Sequence, residues 1–276
     1  MLQQASVHGV ASGLRTIITS RRLIWTLAKR EVAARYRGSA LGLVWLVLLP
    51  LLNLMAFTFV FRTVLKARWS GAGMEEGVGA FSVYMFAGLT IFTIFSEVMT
   101  RSPGLVLENA SYIKRVVFPL EILPIVALLT ALVNAAGSMV IWLVFYIITF
   151  GAPHPEALLL PIALAPMCLV ILGLSWFVSA VGVYLRDLRQ FVAPVVTALQ
   201  FLSPVFYPLA AVPENVRWIF DMNPLTVPLE QARGLLFQGD IPGLLSTLLA
   251  LAVSAMVALL GLWWFQKTRK GFADVV

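Results

Sequence analysis

The sequence predicts an all-α polytopic membrane protein with six transmembrane helices. An N-terminal amphipathic interface helix precedes them, and two short outer re-entrant helices lie between spans five and six. Three observations predict this. First, 60% of the 276 residues are hydrophobic and only 12% are charged, with a mean hydropathy of +0.92. Soluble domains are about 45–50% apolar and about 25% charged. So few charges cannot cover a water-facing surface, which excludes a soluble enzyme, and a disordered chain needs the opposite composition. Second, six apolar stretches reach the roughly 20 residues that a hydrocarbon core about 30 Å thick requires. They are residues 41–61, 80–99, 122–150, 157–184, 191–212 and 243–265. Third, fifteen of the 20 Lys and Arg residues fall in 1–40, 100–121, 185–190 and the tail after 265, against five in 62–79 and 213–242. Cytoplasmic segments carry the basic excess, so both termini are expected on the cytosolic side. The expected layout is a cytosolic interface region (1–40), a six-span domain (41–265) and a cytosolic tail (266–276).

Residues 14–37 read as one two-faced helix. At 100° per residue, Leu14, Ile17, Ile18, Ile24, Trp25, Ala28, Val32 and Tyr36 share a face, and Arg15, Arg22, Lys29, Arg30 and Arg37 lie opposite. Such a helix lies in the headgroup plane or docks a cytosolic partner. In the loop 100–121, Pro103 suits the first turn of a short helix. Leu105, Val106, Ile113 and Val116 give it an apolar face, and Pro119 stops it. That helix faces another subunit or rests on its own membrane domain. Spans three and four carry small residues at helical spacing, Ala131, Ala135 and Ser138 in one and Ser175, Ser179 and Gly182 in the other, which let helices approach closely. Span five holds Pro194, Pro204 and Pro208. Each proline removes a backbone donor, so kinks are expected, with freed carbonyls facing protein or a water path. The segment 213–242 is too apolar for a plain loop and too short to span. Asn223 caps a helix there with Pro224 at its first position. An outer gate or a lid on the bundle both fit.

The chemistry that is absent narrows the function. No P-loop, HExxH, GxSxG or CxxC occurs. His8 and His154 are isolated, Cys168 is the single thiol, and no metal site is expected. Nothing points to nucleic acid. Proton-driven carriers hold titratable groups inside the membrane, whereas these six spans contain only Glu97, near a cytoplasmic end, with Asn53, Asn134 and Gln200 as further polar groups. Energy for transport is therefore expected to enter from outside the bundle. Aromatic side chains fall at similar depths in three spans: Trp45 and Phe57, Tyr84, and Phe201, Phe206 and Tyr207. They could line a path by stacking on sugar faces, or serve as ordinary core and interface residues. Arg35 and Arg37 could hold a lipid diphosphate or bulk anionic lipid.

Four strings carry a resemblance. The first is Arg35-Tyr36-Arg37-Gly38-Ser39, then Leu41-Gly42, Trp45 and Pro50. The second is Asn109, Lys114, Phe118-Pro119 and Ile122-Leu123-Pro124. The third is Tyr184, Arg186-Asp187, Ser203-Pro204 and Tyr207-Pro208. The fourth is Asn223-Pro224 with Arg233-Gly234-Leu235-Leu236. In this order the sequence resembles the membrane subunit of ABC-2 type polysaccharide exporters over about residues 20–240. It departs at Leu120-Glu121, where that family often has an Arg after Phe-Pro.

The resemblance implies a homodimer paired with two cytosolic ABC ATPase subunits, in the cytoplasmic (inner) membrane among its lipids. The cargo it implies is a polysaccharide on an undecaprenyl-diphosphate carrier, with O-antigen favoured over capsule or teichoic acid. This chain would be no enzyme and hold no cofactor; ATP and Mg would sit on the partner. Trp25 and the segment with Glu108, Asn109, Tyr112, Lys114 and Arg115 would contact the ATPase. Trp218, Phe220, Asn223, Pro224 and Arg233 would form the outer gate. A drug or small-lipid exporter half, an autonomous carrier and a structural anchor stay open as alternatives.

Overall fold

The computed structural model describes residues 9–37, 42–64, 78–109 and 118–275, and every element among them is helical. The N-terminal region forms α1 (Val10–Thr19) and α2 (Arg21–Tyr36). The membrane domain contains α3 (Trp45–Thr58), α4 (Val78–Arg101), the short α5 (Leu105–Glu108), α6 (Leu123–Phe150), α7 (Leu160–Tyr184) and α8 (Leu188–Phe201). Then come α9 (Glu214–Asp221), α10 (Thr226–Arg233), α11 (Leu244–Thr268) and α12 (Phe272–Val275).

Among the described residues four helices are long and apolar enough to cross a membrane: Gly79–Glu108, Leu120–Phe150, Pro155–Tyr184 and Leu244–Gly271. They match expected spans two, three, four and six. The first expected span is a shorter apolar helix, Val47–Phe61, widening into a π-turn at Phe59–Val64. The fifth is not one helix. α8 ends at Phe201, and the chain turns through 202–208 before a short 3-10 turn at Leu209–Ala211. Pro204 and Pro208 lie in that break, where they cannot supply the backbone donors a continuing helix needs.

α4 is the hub. Met85, Ala87, Ile91 and Val98 are wholly buried, and α3, α6, α7, α8 and α10 all pack on it. The outer faces of α6 and α11 are the reverse. Val140, Ile148, Leu244, Leu248 and Val253 are all more than half exposed. Water would penalise such surfaces, whereas hydrocarbon does not.

Among the described helices α7 and α11 share the most extensive packing. They cross at Gly173 and Gly261, where a Cβ on either glycine would strike the other helix's backbone. A second close approach puts Gly182 of α7 on the backbone of Pro103. That 3-10 turn, Ser102–Gly104, is buried, and the Ser102 and Ser175 hydroxyls lie 2.7 Å apart. Of the expected small-residue positions, Ser175, Ser179 and Gly182 are thus packing residues.

One expectation needs correction here. Residues 14–37 form two helices that break at Ser20. α1 packs on α11 through Gly13, whereas α2 lays Ile24 and Ala28 on Ile122 and Val126 of the 120–126 segment. The apolar residues of 14–37 are therefore shared between two helices with different packing partners. The start of the 100–121 loop takes the second of its two expected positions, resting on its own membrane domain. Leu105 and Val106 are buried in the chain's own bundle, because α5 continues from α4 and packs on α7. Ile113 and Val116 lie outside the described residues.

Glu121 finds its partner in the tail. Its carboxylate, 2% exposed, accepts from Arg269 Nη1 at 2.7 Å, and Arg269 Nη2 also donates to the Phe118 carbonyl at 3.1 Å. An Arg at 121 would place two cations together. Removing one partner of a buried pair costs about 3–5 kcal/mol, whereas replacing both by apolar groups is often neutral. Arg269→Ala should therefore lower the unfolding temperature of the detergent-solubilised protein clearly. The Glu121→Leu/Arg269→Leu double variant should recover most of the loss, as read by tryptophan fluorescence.

Candidate functional site: a polar cleft at the α2–α4 corner

A cavity of about 520 Å³ opens between α3, α4, α6 and α8, with the end of α2 at one mouth. Helical spacing explains its walls. α4 contributes Phe86, Thr90, Thr93 and Glu97, α3 contributes Trp45, Leu49, Asn53 and Phe57, α6 contributes Asn134 and Ser138, and α8 contributes Gln200. On α3, α4 and α6 these positions recur every three or four residues and so share one face. The lining mixes aromatic rings with amides and hydroxyls. The polar residues inside the expected spans, Asn53, Glu97, Asn134 and Gln200, all meet here.

The mouth is organised by charge. Arg35 Nη2 lies 2.5 Å from Glu97 Oε1. Asn134 Nδ2 donates to both Glu97 oxygens, at 2.9 and 3.0 Å. One turn earlier on α2, Glu31 pairs with Arg101 through two hydrogen bonds of 2.7 and 3.2 Å and accepts from Thr130 Oγ1 at 2.9 Å. Burial alone would raise the Glu31 pKa. The Arg101 guanidinium and the Thr130 hydroxyl outweigh it and hold the carboxyl below its usual value. The pairs alternate in sign, so Glu31 and Arg35, four apart on α2, face Arg101 and Glu97, four apart on antiparallel α4. Reversing α2 or sliding it by a turn would bring like charges together.

Deeper in the cleft the Thr90 hydroxyl is buried with no hydrogen-bond partner among the described residues. Such groups cost about 1–3 kcal/mol, so a polar ligand or water would stabilise this position. Phe57 closes the cleft on one side and packs on Phe206, with ring centroids 5.0 Å apart. Phe206 is 1% exposed and also stacks on Phe61 at 4.8 Å and meets Phe201 at 5.4 Å.

Of the residues expected to line a path, Trp45 and Phe57 border this cleft. Phe206 is a buried anchor behind Phe57. Phe201 is half exposed, and Tyr207 donates its hydroxyl to the Phe201 carbonyl. Tyr84 does not reach the cleft; it sits 5% exposed in a ring cluster with Phe150 and Phe237, because it lies on the α4 face turned to α6 and the 234–238 turn. Arg37 is exposed, is not among the cleft-lining residues and makes no ion pair among the described residues.

The expected ATPase contacts divide. Trp25 is 53% exposed with the Lys29 ammonium 5.1 Å over its ring. Glu108 is exposed and pairs with Arg189 at 3.1 Å. Asn109 closes α5 by donating to the Leu105 carbonyl at 2.8 Å. Tyr112, Lys114 and Arg115 lie outside the described residues.

The expected outer-gate residues mostly serve the break after α8. Arg233, 6% exposed, donates to the Pro204 carbonyl, to the Val205 carbonyl at 2.7 Å and to Glu230 Oε1 at 3.2 Å. Asn223 Nδ2 donates to the Leu202 carbonyl at 2.9 Å and to Ser203 Oγ at 2.8 Å, and its Oδ1 accepts from the Leu225 amide at 2.9 Å. Asn223 thus builds a turn through Pro224, and the helix starts later, at Thr226. The carbonyls around the proline break face protein. Phe220 is buried; Trp218 is 59% exposed.

Several long apolar helices packed around a polar, aromatic-lined cleft define a multi-pass membrane protein. Residues 22–237 match the family described as "ABC-2 type transporter", and the chain belongs to that family. It is 26% identical over 265 residues to the O-antigen export system permease protein RfbA of Myxococcus xanthus, covering 95% of this chain and 98% of that one. A Klebsiella pneumoniae O-antigen export system permease protein RfbA is 24% identical over 92% and 95% of the two chains. The polysialic acid transport protein KpsM of Escherichia coli is 25% identical over 85% and 87%.

Proposed function

We propose that this chain is the membrane subunit of an ATP-driven exporter that moves a polysaccharide on an undecaprenyl-diphosphate carrier across the cytoplasmic membrane. O-antigen is the favoured cargo. The observation that carries the reading is the cleft. A guanidinium stands at its mouth and aromatic rings with amides line its wall, as a lipid diphosphate followed by sugars requires. Relatives matched over nearly their whole length, named for O-antigen and polysialic acid, support it.

In this reading the chain crosses the membrane six times with both termini in the cytosol. The short first span and the broken fifth complete the four long ones. It works as a homodimer with two copies of an ABC ATPase subunit, which binds ATP and Mg and supplies the driving force. Trp25, Glu108 and the segment to Arg115 meet that subunit. Arg35 and Arg37 receive the diphosphate, and the 213–242 helices stand at the outer exit.

The test is genetic and biochemical. Deleting the gene should abolish surface glycan and leave lipid-linked glycan inside the cell. Re-expression should restore export only alongside a P-loop ATPase partner. Gradient-driven glycan flux in vesicles holding this chain alone would overturn the reading.

A further inference from the structure

We propose that Glu97 is a resident anion at the cleft mouth, occupying the Arg35 guanidinium until an incoming lipid-linked diphosphate displaces it. The inference rests on the proposed role of Arg35 and adds a second, opposing residue to that site. Three features of the geometry carry it.

Among the described residues Glu97 is the only acid on the cleft wall, and its side chain is 14% exposed. A bare guanidinium at a membrane surface would attract any anionic headgroup. With Glu97 2.5 Å away the formal charges of the pair cancel, so the mouth is closed to weak anions. A diphosphate offers more charge and more acceptor oxygens to the planar guanidinium than one carboxylate does.

The exchange leaves no buried charge stranded. Asn134 holds both Glu97 oxygens independently of Arg35, so the carboxylate keeps two hydrogen bonds when the guanidinium turns away. Arg35 is free enough to turn, with its side chain 39% exposed next to the end of α2. α2 itself stays seated, because Glu31 and Arg101 make the stronger two-bond contact one turn earlier and Ile24 and Ala28 are buried. One pair is built to hold and the other to exchange.

A separate observation points to a missing polar occupant. The Thr90 hydroxyl, two turns farther into the cleft than Glu97 and 3% exposed, has no partner among the described residues.

The test uses the full chain in lipid nanodiscs, with farnesyl diphosphate as probe and inorganic pyrophosphate beside it. Glu97→Gln keeps the side-chain shape and removes the competing charge. It should bind farnesyl diphosphate about tenfold more tightly than the wild type, as losing one charge-assisted contact from the competing state predicts. It should also unfold at a lower temperature. A merely structural Glu97 would lose stability and gain no affinity. Glu97→Asp, one methylene shorter and unable to reach Arg35, should give an intermediate gain and serves if the glutamine variant folds poorly. Arg35→Gln should abolish binding, alone and combined with Glu97→Gln.

Unchanged or weaker binding by both Glu97 variants, with Arg35→Gln still defective, overturns the displacement and leaves the proposed function standing. Undiminished binding by Arg35→Gln overturns the diphosphate site and this inference with it. Equal binding of pyrophosphate and farnesyl diphosphate overturns the lipid-linked identity of the ligand; preference for the farnesyl probe supports it.

Discussion

Gly261→Leu should abolish the folded chain. At the α7–α11 crossing a Cβ on Gly261 would fall against the Gly173 carbonyl oxygen, 2.6 Å from its carbon and 2.7 Å from its Cα. In the other direction a Cβ on Gly173 would lie 2.7 Å from the Val257 carbonyl carbon and 2.9 Å from Ala258 Cα. Every obstacle is backbone, so no flexible side chain can yield and the helices must separate. Separation also pulls Leu262 and Phe265 from the cluster around Trp176, Ala180 and Val183. In lipid, packing of this kind is the main attraction between helices, since no hydrophobic drive joins two greasy surfaces there. Gly261→Ala should cost about 3 kcal/mol, the upper end of the overpacking range, and the leucine variant should not accumulate as monodisperse protein. Gly79→Ala is the control. Its Cβ would meet only the Thr149 side chain at 3.5 and 3.6 Å, ordinary contact distances, and its stability should stay within about 0.5 kcal/mol of the parent. A normally expressed, normally melting Gly261→Leu protein would show that the helices do not cross this closely.

Arg233→Ala should be nearly as damaging, by another route. The substitution removes the donors to the Pro204 and Val205 carbonyls and leaves Glu230 without its cation. Orphaned buried acceptors cost about 1–3 kcal/mol each, so a total of about 3–5 kcal/mol is expected, matching a broken buried ion pair. Arg233→Lys should recover little, because one ammonium cannot reproduce the planar fork that reaches two successive carbonyls. Gly88 supplies a second check. A Cβ there would collide with the guanidinium, with Cζ at 3.3 Å, so Gly88→Ala should weaken the same contact. Combined with Arg233→Ala it should add little, the non-additivity expected of residues that share one interaction. Thermal unfolding with limited proteolysis around 202–208 reads both effects. Wild-type proteolysis of Arg233→Ala would show that the break holds itself.

Much of the membrane character was legible because it depends on composition and run length alone. The long spans near 80–99, 122–150, 157–184 and 243–265 were placed closely, since an unbroken apolar run has few other fates. The shorter and broken helices were not. Nothing in the run 191–212 says that the chain stops being helical at Phe201, although three prolines warned of it. The break is stable because Arg233 and Asn223, some 20 to 30 residues downstream, take its carbonyls. The N-terminal helix looked continuous because its periodicity passes smoothly through Ser20. It divides there, and the two halves take different partners: α1 packs on α11 and α2 packs on α6.

The candidate site was half legible. Arg35, Trp45 and Phe57 were picked out for charge and aromaticity, and they border the cleft. Glu97, Asn53, Asn134 and Gln200 were visible as rare polar groups in greasy spans, which was the signal that could have joined them. Their convergence needs four helices to be placed around one axis, and no local pattern supplies that. Tyr84 shows the converse, an aromatic at a plausible depth that turns into a ring cluster instead.

By itself the sequence determined that the chain lives in a bilayer, which segments are greasy enough to cross it, and that no nucleotide or metal motif is written in it. Those properties are sums over residues, so they survive any arrangement of the helices. Tertiary structure decided which charges meet, where a proline break is held, and which glycines touch. Each of these is a contact between residues tens of positions apart, fixed by helix rotation and crossing, and one residue's rotation about a helix axis, 100°, is enough to turn a cleft wall into a lipid face.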